Sequence, residues 1–376
     1  MSAPHSLSEL RHERVELPSG SLRILFDTPD QRLRGGPPTH LPLLESELRR
    51  FVEVHLYQYG RKSDTENLPE KVFGRAVDLI RVRSACRALR PDLIHHNSAF
   101  DRLAIFRDAL LVLMANHQRI PIFIKIHGSM PEAFSTGPGL LELARKIVLR
   151  RGDGFGVLSS IEKGEFEAAF PCVRGKVWVV KNIVDADFFK VPRCEANRPQ
   201  ILFLSRFIRR KGLFDLLHAV PLVLKEVAAA EFLFIGDGED ATTFEREVSA
   251  MQCPSIKLLK HTSDRDAVFS SAWMLALPTL FPEGMPMVIA ESMAAGLPVV
   301  STPTRFSRSY LTEGQHALYC QPGDVEGIAK SIIRLCKDKT LRERMSQANR
   351  RMMSEKFTAE HVTKEFLEIY GRLVEG

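Results

Sequence analysis

The feature that most constrains this chain is an alternation, kept up from about residue 22 onward, of short apolar, β-branched runs with longer helix-like segments. A strand that is apolar on both faces has to be covered on both. Helices placed between successive strands achieve this when the strands run parallel. In the first half the strand candidates are Arg23 to Phe26, Val52 to Tyr57, Leu93 to His95, Ile122 to Ile126, Phe155 to Leu158 and Val177 to Val180. Helical patterns lie between them at Leu41 to Arg50, Val72 to Leu89, Asp101 to Ala115 and Leu140 to Arg150. A polar stretch with two prolines and no period then intervenes, and the alternation restarts at Ile201 to Leu204, Glu231 to Ile235, Ile256 to Leu259, Met274 to Leu277, Pro298 to Ser301 and Ala317 to Cys320. The expected architecture is α/β, with two tandem doubly wound, Rossmann-like units at 22–190 and 200–376 joined by a linker at 191–199. The last helix is free to pack back on the first unit. Such sheets bind ligands outside the carboxyl ends of their strands, so two of them can share one cleft.

The 376 residues exceed what one core usually serves. Six cysteines, at 86, 172, 194, 253, 320 and 336, form no Cys-x-x-Cys pair and no Cys/His cluster, which points to buried thiols in a reducing compartment rather than disulfides or zinc. The apolar stretch Ala109 to Ala115 is far short of the roughly 20 residues that cross a bilayer. Residues 1–21 are polar, with mixed charge and no apolar signal core, and are expected to form a flexible tail of a cytoplasmic protein. Net charge is +6, and the densest basic run holds Lys71, Arg75, Arg81, Arg83, Arg87 and Arg90 against Asp78 alone. A solvated helix face is the ordinary reading of such a run; attraction to anionic lipid at the inner membrane face is the other. No aromatic-interleaved basic motif accompanies the charge, so nucleic acid is not an expected partner.

The most informative segment runs Phe281-Pro-Glu283-Gly-Met-Pro-Met-Val-Ile-Ala-Glu291. It follows a strand and opens a helix, with Pro286 suited to the first turn, and the free N–H groups and positive dipole end there favour a bound diphosphate. Glu283 and Glu291 invite a glycoside-hydrolase reading. Eight helical residues would hold them about 12 Å apart along the axis, too far for paired catalytic carboxylates. Separate tasks fit better: Glu291 accepting from two ribose hydroxyls, Glu283 from sugar hydroxyls. Solvated helix-end carboxylates are the plain alternative. At the end of the second unit's first strand, Ser205-Arg206 is followed by a basic loop and Lys211-Gly212, two cations able to grip phosphate oxygens. In the first unit, Gly35-Gly36 lies between strand and helix, where a plain turn explains it as well as a ligand does. His127 ends the strand Ile122 to Ile126 at the ligand edge, and His95 and His96 end the preceding one as weaker candidates for acceptor contact.

Together these residues resemble the retaining GT-B glycosyltransferases known as glycosyl transferases group 1, or family 4. The marks are Ser205-Arg206 through Lys211-Gly212, Phe234-Ile-Gly-Asp-Gly238, the glutamates at 283 and 291, Ala294-Ala-Gly-Leu-Pro-Val-Val300 and Gln321-Pro-Gly-Asp324. The resemblance implies that Arg206 and Lys211 hold the donor diphosphate, Glu291 the ribose and Glu283 the transferred sugar, with Gly284, Met285 and Met287 beside them. It places Lys260 and His261 at the base, His127 beside the donor sugar and Gly36 near the phosphates. It implies a nucleotide-diphosphate sugar as donor, UDP- or GDP-linked, and a glycan or lipid-linked acceptor in bacterial surface polysaccharide or lipopolysaccharide assembly. It implies no protein nucleophile, no metal and no cofactor. Met285-Pro286 departs from the family's usual Phe-Gly, and proline offers no amide proton there. Arg305 to Tyr310 replaces a usually glycine-rich acceptor loop with bulkier residues. A non-catalytic sugar- or lipid-binding protein on the same fold and a nucleotide-sugar epimerase are the competing readings.

Overall fold

A computed structural model describes residues 22–28, 36–59, 68–102, 104–128, 139–262 and 264–375, giving the backbone alone at Gly36 and residues 68–73. The expected tail at 1–21 and Gly35 lie outside the described residues. The first half carries β1 (Arg23–Asp27), α1 (Gly36–Leu48), β2 (Glu53–Tyr57), α2 (Leu68–Leu89), β3 (Leu93–Ser98), α3 (Ala104–His117), β4 (Ile122–Ile126), α4 (Leu140–Arg151), β5 (Gly154–Val157), α5 (Ser160–Ala169), β6 (Val177–Val179) and α6 (Ala186–Lys190). The second carries β7 (Gln200–Leu204), α7 (Leu213–Glu226), β8 (Glu231–Ile235), α8 (Ala241–Met251), β9 (Ile256–Leu259), α9 (Arg265–Ser271), β10 (Met274–Leu277), α10 (Met287–Ala294), β11 (Val299–Ser301), α11 (Arg305–Tyr310), β12 (Ala317–Tyr319), α12 (Val325–Lys337), α13 (Lys339–Lys356) and α14 (Ala359–Glu375).

Among the described residues these strands form two six-stranded sheets, ordered β2-β1-β3-β4-β5-β6 and β12-β11-β10-β7-β8-β9, and every pairing between them is parallel. In the second sheet the winding reverses between β7 and β10. Loops leaving those two strands diverge there and open a crevice at the carboxyl edge. The strands are as apolar as two-sided burial demands: Ile122, Phe123, Ile124 and Ile126 of β4 are all inaccessible, as are Met274 to Leu277 of β10.

On one face of the first sheet, α2, α3 and α4 supply Val82, Cys86, Val112 and Val148 to a core with Leu25, Ile94, Ile124 and Phe155. The other face is covered by α1 and by the last helix of the chain. α14 returns across the molecule and buries Val362, Phe366, Leu367 and Tyr370 against Ile24, Phe26, Leu93 and Phe123. Residues 191–199 contain neither helix nor strand, yet side chains from the second half hold them in place. Arg350 reaches the Val191 carbonyl at 2.5 Å, Arg342 pairs with Glu195 at 3.2 Å, and the Trp273 indole N–H donates to the Ala196 carbonyl at 2.8 Å.

Because Phe366 fills the first half's core from the chain's far end, Phe366→Ala should cost about 3–5 kcal/mol. Urea unfolding followed by circular dichroism measures it. A loss below 1 kcal/mol would mean that α14 is dispensable to that core.

Candidate active site

The carboxyl edges of the two sheets face each other across a cavity of about 540 Å³. From the second half it is lined by Arg206, Lys211, Arg265, Glu283, the 284–288 segment and Glu291, and from the first by Pro37, Thr39, His127, Gly128 and Asn182. Two loops that flank the winding reversal build its charged wall. After β7 the chain passes Arg206 and a 3₁₀ turn at Arg209–Lys211, then enters α7 through Gly212 at φ 73°. A Cβ at that glycine would lie 2.0 Å from the Pro278 carbonyl oxygen, so the loop after β10 can seat against it only because the residue is glycine. The Leu280 amide donates to the Arg210 carbonyl at 2.9 Å, and the Thr279 hydroxyl to the same oxygen at 3.1 Å. Fastened in this way, the loops bring Lys211 Nζ to 2.6 Å from Glu283 Oε1.

The α10 helix begins at Met287 with Pro286 as its N-cap, so Glu283 stands in the preceding loop and Glu291 is the fifth helical residue. A spacing computed for eight helical residues therefore does not apply. Both carboxylates line the same cavity. Met287 and Val288 line it too, and their amides are first-turn groups with no helical acceptor. Gly284 approaches the first half so closely that a Cβ there would meet Leu158 Cδ1 at 2.8 Å and the Gly128 Cα at 3.2 Å. Around this contact the halves are joined by Arg305 pairing with Glu165 at 2.6 Å, and by the Tyr310 hydroxyl donating to the Leu158 carbonyl at 3.2 Å.

In the first half a relay of amides and imidazoles fixes the state of His127. The Asn97 side-chain N–H donates to the Asp27 carbonyl at 2.7 Å, which turns its Oδ1 toward His127 Nε2 at 2.6 Å and His95 Nε2 at 3.3 Å. Both Nε2 atoms therefore carry the proton, and His127 Nδ1 keeps its lone pair. Burial, reinforced by the charge of Lys125, pushes both imidazoles well below the usual histidine range, so they are neutral. His95 Nδ1 accepts from the Tyr370 hydroxyl at 2.5 Å. His96 lies between Asp27 and Asp108, at 3.0 and 2.8 Å; burial opposes its charge, but the aspartates outweigh burial and raise its pKa. Both histidines of β3 are fully buried and absent from the cavity wall.

Lys260 and His261 follow β9, the edge strand two places from β7, and do not line the cavity; Lys260 Nζ turns toward Glu245 at 4.0 Å. Gly36 is the first residue of α1, one position before the lining residue Pro37. Three contributors went unread in the sequence. Arg265 reaches across 26 residues to Glu291 Oε2 at 2.6 Å. Lys125 is buried within β4, donates to Asn182 Oδ1 at 2.8 Å, and is pushed down by burial to about 7. Asn97 holds the relay. Of these only Lys125 announced itself, as a lone cation inside the run Ile122-Phe-Ile-Lys-Ile126.

Two family models cover consecutive parts of the chain: glycosyltransferase family 4 matches residues 34–188, and glycosyl transferases group 1 matches residues 185–352. The chain belongs to the group 1 glycosyltransferases. It is 26% identical over 174 residues to the lipopolysaccharide core biosynthesis glycosyltransferase LpsE of Rhizobium meliloti, covering 46% of this chain and 50% of that one. It is 24% identical over 171 residues to the capsular polysaccharide biosynthesis glycosyltransferase CapM of Staphylococcus aureus, covering 45% of each. The match thus spans about half the length of these relatives. Among solved structures, a glycosyltransferase from Rickettsia africae superposes with TM-score 0.77 at 16% identity, over 95% of this chain and 100% of the other. Anabaena HepE in complex with UDP and glucose superposes at 0.71 and 16% identity, over 92% and 98%. The fold of this glycosyltransferase is therefore GT-B.

The Arg265–Glu291 pair makes a test of the site's electrostatics. Burial pushes the Glu291 carboxyl above its ordinary range, and the Arg265 guanidinium pulls it back. A carboxyl raised in the folded state contributes its stability below the unfolded pKa and loses it as pH rises through the folded pKa. Arg265→Ala removes the opposing charge, so it should destabilise by about 1–3 kcal/mol at pH 8, with a smaller penalty at pH 5. Adding Glu291→Gln should abolish that pH dependence. Urea midpoints at the two pH values measure it, and an equal penalty at both would show that Glu291 needs no counter-charge.

Proposed function

We propose that the chain transfers a sugar from a nucleotide-diphosphate sugar, UDP- or GDP-linked, to a glycan or lipid-linked acceptor in bacterial surface polysaccharide or lipopolysaccharide assembly, retaining the anomeric configuration. The observation that carries the reading is one cavity between two carboxyl sheet edges, in which four cations, two carboxylates and a helix N-terminus on one half face a neutral imidazole on the other. The relatives' names support the acceptor class, with lipopolysaccharide core in one and capsular polysaccharide in another. HepE with UDP and glucose supports the donor class.

In this reading Arg206, Lys211 and the first amides of α10 hold the diphosphate, Glu291 accepts from the ribose hydroxyls, and the sugar lies between Glu283 and His127. Lys260, His261 and Gly36 sit outside the cavity wall, so any contact with the base or phosphates from them runs through backbone at its margin. Neutral His127 offers Nδ1 to a sugar hydroxyl. The acceptor oxygen attacks the anomeric carbon from the side the diphosphate leaves, and its proton passes to a departing phosphate oxygen. One C–O bond forms, one breaks, and the nucleoside diphosphate is released. Positive groups already in place stabilise the charge growing on that leaving group, commonly the largest catalytic contribution. Because those groups are protein cations, the reaction needs no metal or cofactor. The enzyme works in the cytoplasm at the inner membrane face.

Incubation with UDP- and GDP-sugars and an oligosaccharide or lipid-linked acceptor, followed by mass spectrometry of the product, tests the reading; failure to turn over any such donor overturns it. Product formation should persist in excess EDTA, and complete loss restored by magnesium or manganese would reject the metal-free mechanism. Glu283→Gln should lower kcat by about 100-fold or more with a smaller effect on KM, as loss of one electrostatic partner of the reacting centre does. A covalent glycosyl-enzyme in that variant would instead show a protein nucleophile.

A further inference from the structure

Of the twelve large apolar side chains exposed among the described residues, seven lie on three neighbouring helices, α2, α3 and α4. On α3, Phe106, Leu110 and Leu113 form an i, i+4, i+7 stripe that is 40, 52 and 44% exposed, on the side of the helix away from the core residues Ile105, Ala109 and Val112. Leu140 and Leu143 of α4 are 74 and 54% exposed, and Val77 and Ile80 of α2 are 43 and 68% exposed. The three helices pack side by side on one face of the first sheet. A contiguous exposed apolar surface of this kind marks a docking face.

Its charge selects the partner. Arg81, Arg83 and Arg87 of α2, Arg90 just beyond it, and Arg150 and Arg151 of α4 are exposed, and none forms an ion pair among the described residues. Lys146 is also exposed, 3.7 Å from Glu142. The acids Asp78 and Asp108 of these helices are buried beneath the face and Glu142 is half-buried between Arg145 and Lys146, which leaves Asp101, just before α3, as the exposed acid beside it among the described residues. A second copy of this chain would bring like charges together, whereas an anionic bilayer supplies both an apolar layer and opposite charge.

The arrangement along the helices gives an orientation. These helices run back against parallel strands, so their first turns lie at the carboxyl edge of the sheet, the edge that holds His127 and the cavity. Leu140 and Leu143 occupy the first turn of α4 and Phe106 that of α3, Leu110 and Leu113 follow in the second and third turns of α3, and the cations of α2 and α4 lie toward the ends of their helices. Leu140 and Arg151 are about 16 Å apart along α4, at 1.5 Å per residue.

We propose that the outer face of α2, α3 and α4 docks on an anionic lipid bilayer, the apolar side chains of α3 and of the first turn of α4 entering the headgroup layer and the cations toward the ends of α2 and α4 lying on lipid phosphates. The proposal deepens the lipid-linked reading of the acceptor and rests on it for its purpose. Its physical content is membrane attachment with the cavity held at the bilayer surface.

Co-sedimentation of the full chain with phosphatidylcholine vesicles, with and without phosphatidylglycerol, tests it. Binding is expected to the anionic vesicles at low salt and to weaken as salt screens the cations. The triple variant Arg83→Gln, Arg87→Gln, Arg150→Gln should lose about a hundredfold in affinity, at about fivefold per charge. The triple variant Leu110→Gln, Leu113→Gln, Leu143→Gln should lose about tenfold or more while keeping its thermal unfolding profile. Wild-type affinity in the leucine variant, or no binding by the unaltered chain, overturns the proposal. So does a dimer in gel filtration that the leucine variant turns into a monomer. Transfer to a water-soluble acceptor should be unchanged in both variants. Vesicle binding without any donor turnover would reject the glycosyltransferase reading and leave the docking face standing.

Discussion

The rest of the site depends on the ion pair between Lys211 and Glu283. It joins two loops that leave adjacent strands, β7 and β10, in opposite directions where the sheet's winding reverses. That divergence makes the crevice; left alone, it would also let the walls drift apart. The seat of the β10 loop on Gly212 and the shared Arg210 carbonyl fix the backbone, and the ion pair then sets two largely buried charges against each other. A pair so withdrawn from water contributes little net stability, because desolvation offsets most of the attraction. Its consequence is preorganisation. The lysine and the carboxylate are already positioned and partly stripped of water when a ligand enters.

The two halves bring different electrostatics to the cavity. The second half contributes formal charges, and the first contributes polar groups held neutral. His127 and His95 stay uncharged because they are buried near Lys125, and Asn97 accepts from the Nε2 proton of His127 and so leaves its Nδ1 free toward the cavity. His96 differs, because the two aspartates that enclose it outweigh burial and raise its pKa. Positive charge is thus concentrated on one wall, opposite a wall that accepts hydrogen bonds.

Much of the fold was legible because two-sided burial writes itself into continuous apolar runs. The strands of both sheets fall within a residue of those runs except β3, which continues three residues past the expected end to Ser98 and so places His95 and His96 inside the strand, and the restart of the pattern at Ile201 marked the second sheet. Arg206, Lys211, Glu283 and Glu291 were legible for a related reason, since each lies in the loop that leaves a strand's carboxyl end or in the helix that follows it. What escaped was set by distance in sequence. Nothing near Arg265 indicates that its guanidinium folds over Phe188 and onto a glutamate 26 residues away. The protonation of His127 depends on Asn97, which depends on a backbone carbonyl of β1. The start of α10 was legible from Pro286, whose missing amide proton costs nothing in a first turn, and it leaves Glu283 in the loop before the helix and Glu291 within it.

The return of α14 links these arguments. A chain whose halves met only at the cavity could open there with little resistance, whereas here the last helix is part of the first sheet's core while α13, just before it, packs on α10 beneath Glu291. The Tyr370 hydroxyl on His95 and the Phe366 ring 5.1 Å from Lys125 place the C-terminus directly behind the neutral wall. The enclosure that keeps His95 uncharged is therefore shared between Phe26 and Phe123 of the first sheet and Phe366 and Tyr370, more than 200 positions away, so the electrostatic contrast across the cavity depends on the chain's far end as well as on the first half.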